Sequence, residues 1–154
     1  RIEHAQLLSA TDVPRFAALG IAASVQPEHA MDDRDVAEAL WPGRNDRTIA
    51  LRTLLDSGAE LLMGSDAPVA ALDPWATIAS AVSRSRDGRE PWHPEQCITV
   101  AEALQASVQS EIAVGEVADI VVTRKNPLDC SGDELRAMRV DATLLDGRFT
   151  HNEL

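Results

Sequence analysis

Tyrosine is absent from this 154-residue sequence, and two phenylalanines and three tryptophans bring the aromatic content to only 3%. The core must therefore be built from Leu, Ile, Val and Ala. Cysteine is nearly absent. Cys97 and Cys130 are lone thiols without metal-type spacing, which argues against a disulfide scaffold and for a reducing, cytoplasmic compartment. No apolar run approaches the ~20 residues of a membrane span, and no stretch reads as a signal peptide. Basic residues are scarce. Fourteen Lys and Arg against 25 Asp and Glu leave a formal charge of −11, which repels phosphate backbones and argues against a nucleic-acid partner. A cationic ligand or a metal suits that surface better, although an acidic surface commonly serves solubility alone.

The length allows one core that buries roughly 70% of the unfolded surface. It falls short of the about 250 residues of a complete eight-stranded α/β barrel. "RIEHAQLL" opens the sequence inside an element and without a methionine, so the expectation is a piece of something longer. It reads as a strand tip and loop. "SATDVPRFAALG" reads as a helix capped by Ser9 or Thr11, with Pro14 in its first turn and Gly20 as its stop. "IAASVQP" is a buried strand closed by Pro27, and "MDDRDVAEALWPG" a short helix with an acidic, solvated start at Asp32, Asp33 and Asp35. "DRTIALRTLLDSG" places Ile49, Leu51, Leu54 and Leu55 at helical spacing, and "AELLMGSD" is the next strand.

Asp73 and Pro74 start a further helix, "RDGREPWHPEQ" is loop chemistry, and Thr99 with Glu102 has capping-box spacing at the head of "TVAEALQASVQS". Strand, helix, strand, helices, strand is the pattern of βαβ units with a parallel sheet. After residue 110 the texture changes. "EVADIVVTRKNPLD" is strand-like, and "VDATLLDGRFTH" predicts a hairpin turning on Asp-Gly. The expected division is therefore 1–110, helices and strands, and 111–154, a small β module.

Three apolar runs each end in a polar residue able to bind metal: His4 in "RIEHAQ", His29 in "SVQPEH" and Asp66 in "LLMGSD". In parallel α/β folds the C-terminal strand ends face the ligand. Two imidazoles and a carboxylate suit zinc or a similar divalent ion. Such an ion acidifies water, and an adjacent carboxylate can take a proton and return it to a leaving amine. Pro68 stops the strand where a loop must begin. Each residue also has an ordinary reading, Asp66 as a turn or cap residue and the histidines as structural or exposed. His93 and His151 read as solvated. Glu3 points to the opposite face from His4, as a buried paired carboxylate or a support for the site. The Trp41 and Trp92 loops line a pocket or cover core edges.

Together, "RIEHAQ", "LGIAASVQPEHAMDDRD", "LLDSGAELLMGSDAPVAALDPW" and "GEVADIVVTRKNPL" resemble the amidohydrolase superfamily of metal-dependent hydrolases, in its N-substituted formamide deformylase-like branch. The resemblance implies an α/β fold, the C-terminal portion of a (β/α)8 TIM-like barrel, about strands six to eight, followed by strands of a small β-sandwich module. It implies that His4 is a metal-binding histidine at the end of strand six. Asp66 becomes a metal-associated aspartate and general base at the end of strand eight, and His29 a substrate or transition-state contact. It also implies a divalent metal, zinc in the family's usage, one or two per complete enzyme, and a small-molecule amide-type substrate whose C–N bond is hydrolysed.

The family's His-X-His motif, its bridging lysine or acid and its fifth-strand histidine have no counterpart here, and no His-X-His occurs in the sequence. The chain alone is therefore expected to be incomplete and inactive, and to pair with a missing N-terminal half or with itself. Two alternatives stay open: a hydrolase of esters, lactones or phosphoesters on the same scaffold, and a non-catalytic remnant acting as an interaction module.

Overall fold

The computed structural model describes all residues, 1–154. Its first helix, α1 (Val13–Leu19), follows an N-cap at Asp12 that makes no side-chain capping bond. The cap expected from Ser9 or Thr11 is replaced by a surface cluster in which the Ser9 hydroxyl donates to Asp12 Oδ2 at 2.7 Å. Gly20 ends the helix at φ 60, and Ile21 N returns to Phe16 O at 2.9 Å. Next comes a short strand, β1 (Ala23–Val25), buried along its whole length.

Helix α2 (Pro27–Leu40) departs from expectation. It starts four residues before "MDDRD", because Pro27 occupies the first helical turn, where a missing N–H costs nothing and its fixed φ is already helical. Asp32, Asp33 and Asp35 are therefore mid-helix and engaged: Asp32 and Asp35 pair with Arg86 and Arg89, and Asp33 accepts from Gln6 Nε2 at 2.9 Å.

Helix α3 (Leu51–Asp56) is shorter than the apolar spacing suggested. Ile49, at φ 51, lies outside it and is buried with Leu51 and Leu54. Strand β2 (Leu61–Met63) pairs in parallel with β1, and Ile2 adds a parallel bridge to Ala23 on the other side. Helix α4 (Pro74–Ser83) is capped by Asp73, whose Oδ1 accepts from Trp75 N at 2.9 Å and Ala76 N at 3.3 Å. Helix α5 (Val100–Ser107) carries the expected capping box of Thr99 and Glu102.

The C-terminal residues form an antiparallel sheet of β3 (Ile120–Thr123), β4 (Val140–Leu145) and β5 (Arg148–Asn152), in the order β3–β4–β5. The Asp146-Gly147 turn joins β4 to β5 with positive φ at both residues, as a type I′ hairpin requires. One element was missed. "NPLD" is a 3-10 turn, not strand, and α6 (Gly132–Arg136) follows it under a second capping box from Ser131 and Glu134. Helix α6 packs on α4 so closely that a Cβ on Gly132 would lie 2.6 Å from Ser83 Cβ.

The core is aliphatic and rich in alanine, as the composition demands. Ala23, Ala30, Ala37, Ala79, Ala81 and Ala103 are fully buried with Leu51 and Leu54. Small side chains let α4 pack closely on α2, α5 and α6, and α5 on β2.

Candidate metal centre

His4, His29 and Asp66 reach one place from three elements. His4 follows the Ile2 bridge, His29 stands in the first turn of α2 just after β1, and Asp66 lies just beyond β2. Neighbouring parallel strands thus deliver their C-terminal ends to one edge of the sheet. One ligand atom from each of the three residues falls within 4.8 Å of the others. The His4 and His29 rings stack nearly parallel, 11° apart with centroids at 6.3 Å. His4 Nδ1 lies 4.0 Å and His29 Nε2 3.9 Å from Asp66 Oδ2. His4 Nδ1 is also 3.0 Å from Gln26 Oε1, which holds the ring in place.

The backbone is unusual at two of the three residues. His4 at φ 59 and Asp66 at φ 56 are both left-handed. For non-glycine residues this costs of order 1–3 kcal/mol each, and such strain clusters at functional sites. Gly64 N donates to Val25 O at 3.1 Å, so the "GSD" turn leaves the sheet from its last ladder bond.

Burial divides the three side chains. His29 is 11% exposed, against 53% for His4 and 37% for Asp66. His29 Nε2 is buried with no hydrogen-bond partner. A buried imidazole nitrogen without a partner is costly, and this one faces Asp66. A tetrahedral ion with ~2.0–2.2 Å bonds sets its ligands about 3.4 Å apart. Gaps of 3.9 and 4.0 Å to Asp66 close to that value with small rotamer changes. Two imidazoles, one carboxylate and an orphaned nitrogen fit a divalent cation.

The other sequence candidates separate. Glu3 is half exposed and bonds Arg1 at 2.5 Å, so it is not buried; the Ser24 hydroxyl and Arg1 hold its carboxyl below the usual range. His93 is not solvated. It packs on Trp92 at 4.8 Å, with Nδ1 3.1 Å from Glu95 and Nε2 buried. His151 is exposed, its Nε2 3.2 Å from Val140 O. Trp92 is buried in the core, whereas Trp41 lines a cavity.

Two charged residues escaped the sequence reading. Glu28, next to His29, accepts from Arg86 at 2.8 Å, from Arg136 at 3.1 Å and from the Ser80 hydroxyl. This network fixes the start of α2 to α4 and α6. Arg84 is wholly buried without a carboxylate; it donates to Trp92 O, Ile49 O and Thr48 O, and burial pushes its guanidinium down to about 10. The Ser-X-X-Glu spacing of 131–134 was the available signal for α6, whereas nothing local marked Glu28 or Arg84.

The amidohydrolase family model matches residues 1–151. The chain is 30% identical to N-substituted formamide deformylase of Arthrobacter pascens, over 96% of this chain and 30% of that protein. It is 36% identical to Protein LONG AFTER FAR-RED 3 of Arabidopsis thaliana, over 96% of this chain and 28% of that protein. Among solved structures, a metal-dependent hydrolase from Pyrococcus horikoshii OT3 superposes with a TM-score of 0.61 at 29% identity, covering 69% of this chain and 22% of that one. The chain thus spans about 30% of the length of the curated relatives it matches. No helix is long and apolar enough to cross a membrane. Matched by the family model from residue 1 to residue 151, the chain belongs to the amidohydrolase family.

Proposed function

We propose that the chain supplies part of the active site of a metal-dependent amidohydrolase acting on the C–N bond of a small amide-type substrate. The observation that carries this reading is the convergence of His4, His29 and Asp66, with the His29 Nε2 buried and unpartnered. In the proposal His4 and Asp66 hold a divalent cation, with zinc the best match to nitrogen and carboxylate donors. Such an ion, when bound, polarises a carbonyl and acidifies water.

The chain's own residues do the rest. Asp66 offers two carboxylate oxygens, one free to take a proton from water and return it to the leaving amine. His29, held by the start of α2, points Nε2 towards the reacting carbonyl and binds its oxygen as charge develops there. A second reading makes His29 a third metal ligand, favoured by its 3.9 Å approach to Asp66. His29→Ala separates the two: zinc affinity is kept if His29 binds substrate and lost if it binds metal.

The proposal assigns the Ile2 stub, β1 and β2 to barrel strands six, seven and eight, and residues 111–154 to the small module. Their parallel, adjacent order supports the assignment. The outer edge of β2 borders an open groove of about 920 Å³ lined by Leu55, Leu61, Leu62, Ala106 and Val108. That groove supports the further reading that the chain acts with the remainder of a barrel and is inactive alone. The test is hydrolysis of N-formyl amines by the native protein carrying this chain. Asp66→Asn is expected to lower turnover by about 10²–10⁴-fold while the fold survives, and wild-type turnover in that variant contradicts the proposal. Ester or phosphoester cleavage without amide cleavage would transfer the same site to another substrate class.

A further inference from the structure

The loop after His4 and the loop after α2 border a second open cavity of about 370 Å³, lined by Leu7, Leu8, Ser9, Trp41, Arg44 and Arg47. Its size falls in the roughly 300–1,000 Å³ range of small-molecule sites. It is tied to the metal centre by short paths. Leu7 is three residues from His4, a reach of at most about 11 Å even if extended. Ile49 N donates to Gln6 O at 2.8 Å, and Leu7 bridges Thr48 in antiparallel sense. Those two links stitch the loop bearing Arg44 and Arg47 to the loop leaving His4.

The lining combines two chemistries. Leu7 and Trp41 keep 48% and 39% of their surface open, although both are large and apolar. Arg44 makes no ion pair, and Arg47 has only a 3.8 Å approach to its neighbour Asp46. Arg148 likewise has no ion pair, and Arg34 and Arg139 reach a carboxylate only at 3.7 Å, so what sets Arg44 and Arg47 apart is that both face one cavity. Arg15, Arg52, Arg86 and Arg89 all hold carboxylates at 2.6–2.8 Å. A guanidinium left free beside an indole presents a fork for a planar anion and a flat platform for an apolar body. The chain's net charge disfavours a dianion, so a monoanionic carboxylate fits better than a phosphate.

We propose that this cavity is a substrate-anchoring subsite in which Arg44 and Arg47 bind the carboxylate of a ligand whose aromatic or aliphatic body rests on Trp41 and Leu7. The inference rests on reading His4, His29 and Asp66 as the hydrolytic centre, and it names the substrate class as a carboxylate-bearing amide.

The test measures binding without turnover. Metal-stripped protein is titrated with N-formylphenylalanine and, separately, with N-formylphenethylamine, which has the same body and no carboxylate. The readout is the Trp41 indole N–H resonance, assigned with Trp41→Phe. The carboxylate probe is expected to bind at least about tenfold tighter, as a charge-assisted bidentate contact implies. Arg44→Gln and Arg47→Gln should each weaken it several-fold and together erase the preference, while the exposed control His151→Ala leaves the preference intact. Both arginines are solvent-facing, so the variants keep the fold, which the same spectrum verifies. Equal affinity for the two probes, an unmoved Trp41 resonance, or a preference surviving in the double variant overturns the subsite. A carboxylate preference in a protein that fails to bind zinc supports the subsite and overturns the metal centre alone.

Discussion

Pro27 decides where His29 points. By opening α2 two residues after β1, it places the imidazole in the first helical turn over the strand end, where Nε2 is buried and faces Asp66. The same proline explains what was hard to read. A proline after an apolar run signals both the end of a strand and the first residue of a helix, so the run ending at His29 was legible while the element carrying His29 was not. His4 and Asp66 lie a residue or two past their strand segments, His4 after Ile2 and Glu3 and Asp66 after Gly64 and Ser65. Their left-handed backbones leave no local pattern. At Asp66 that backbone makes asparagine the appropriate probe, since Asn tolerates the conformation as well as Asp does. Asp66→Asn should leave the melting temperature within about 2 °C, since the backbone strain is unchanged. It should lower kcat in the native protein by about 10²–10⁴-fold, the scale of a lost general base. Turnover and thermal unfolding of the same preparation check both halves.

At the scale of elements, α5 and α6 share one device. Thr99 with Glu102 and Ser131 with Glu134 form reciprocal capping boxes. The first was visible because an eight-residue amphipathic helix follows it; the second was not, because α6 has five residues and follows a 3-10 turn. Both glutamates carry acid sensitivity. Arg52 first, then the Thr99 N–H, lowers Glu102 from 4.5 to about 2. Lys125 first, then the Ser131 N–H, lowers Glu134 from 4.5 to about 2. Because the folded values lie below the unfolded ones, the unfolded chain binds more protons between them. Their stabilisation is therefore complete above about pH 4.5 and is lost progressively as the pH falls towards 2. Urea unfolding at stepped pH should show this decline, and Glu102→Gln with Glu134→Gln should flatten it. Thr99→Ala should cost about 1 kcal/mol at neutral pH, the usual worth of an N-cap.

Across the whole molecule, charge pairs bind the C-terminal residues to the site. Glu28 meets Ser80, Arg86 and Arg136 across sequence separations of 52, 58 and 108 residues. Arg89 and Asp35 extend the ladder along α2. Separations of that size explain why "RDGREP" read as plain loop and the acidic run as solvated: no local pattern encodes a partner half a chain away. The hairpin and the aliphatic core, by contrast, are set by nearest neighbours and composition, and the parallel strand pair was legible from the alternation of strand and helix. Removing the Glu28 charge leaves Arg86 and Arg136 facing each other beside α2. Glu28→Gln should destabilise by about 3 kcal/mol, the low end for a broken buried pair because both arginines retain solvent contact. Denaturant unfolding measures that loss.

The central claim, that His4 and Asp66 hold a divalent cation beside His29, is tested most directly by calorimetric titration of the chain with zinc chloride. The wild type would be compared with His4→Ala, Asp66→Asn and the control His93→Ala. The account predicts one saturable site, weakened at least about tenfold by His4→Ala and by Asp66→Asn and unchanged by His93→Ala. Absence of saturable binding, or binding indifferent to both His4 and Asp66, contradicts it.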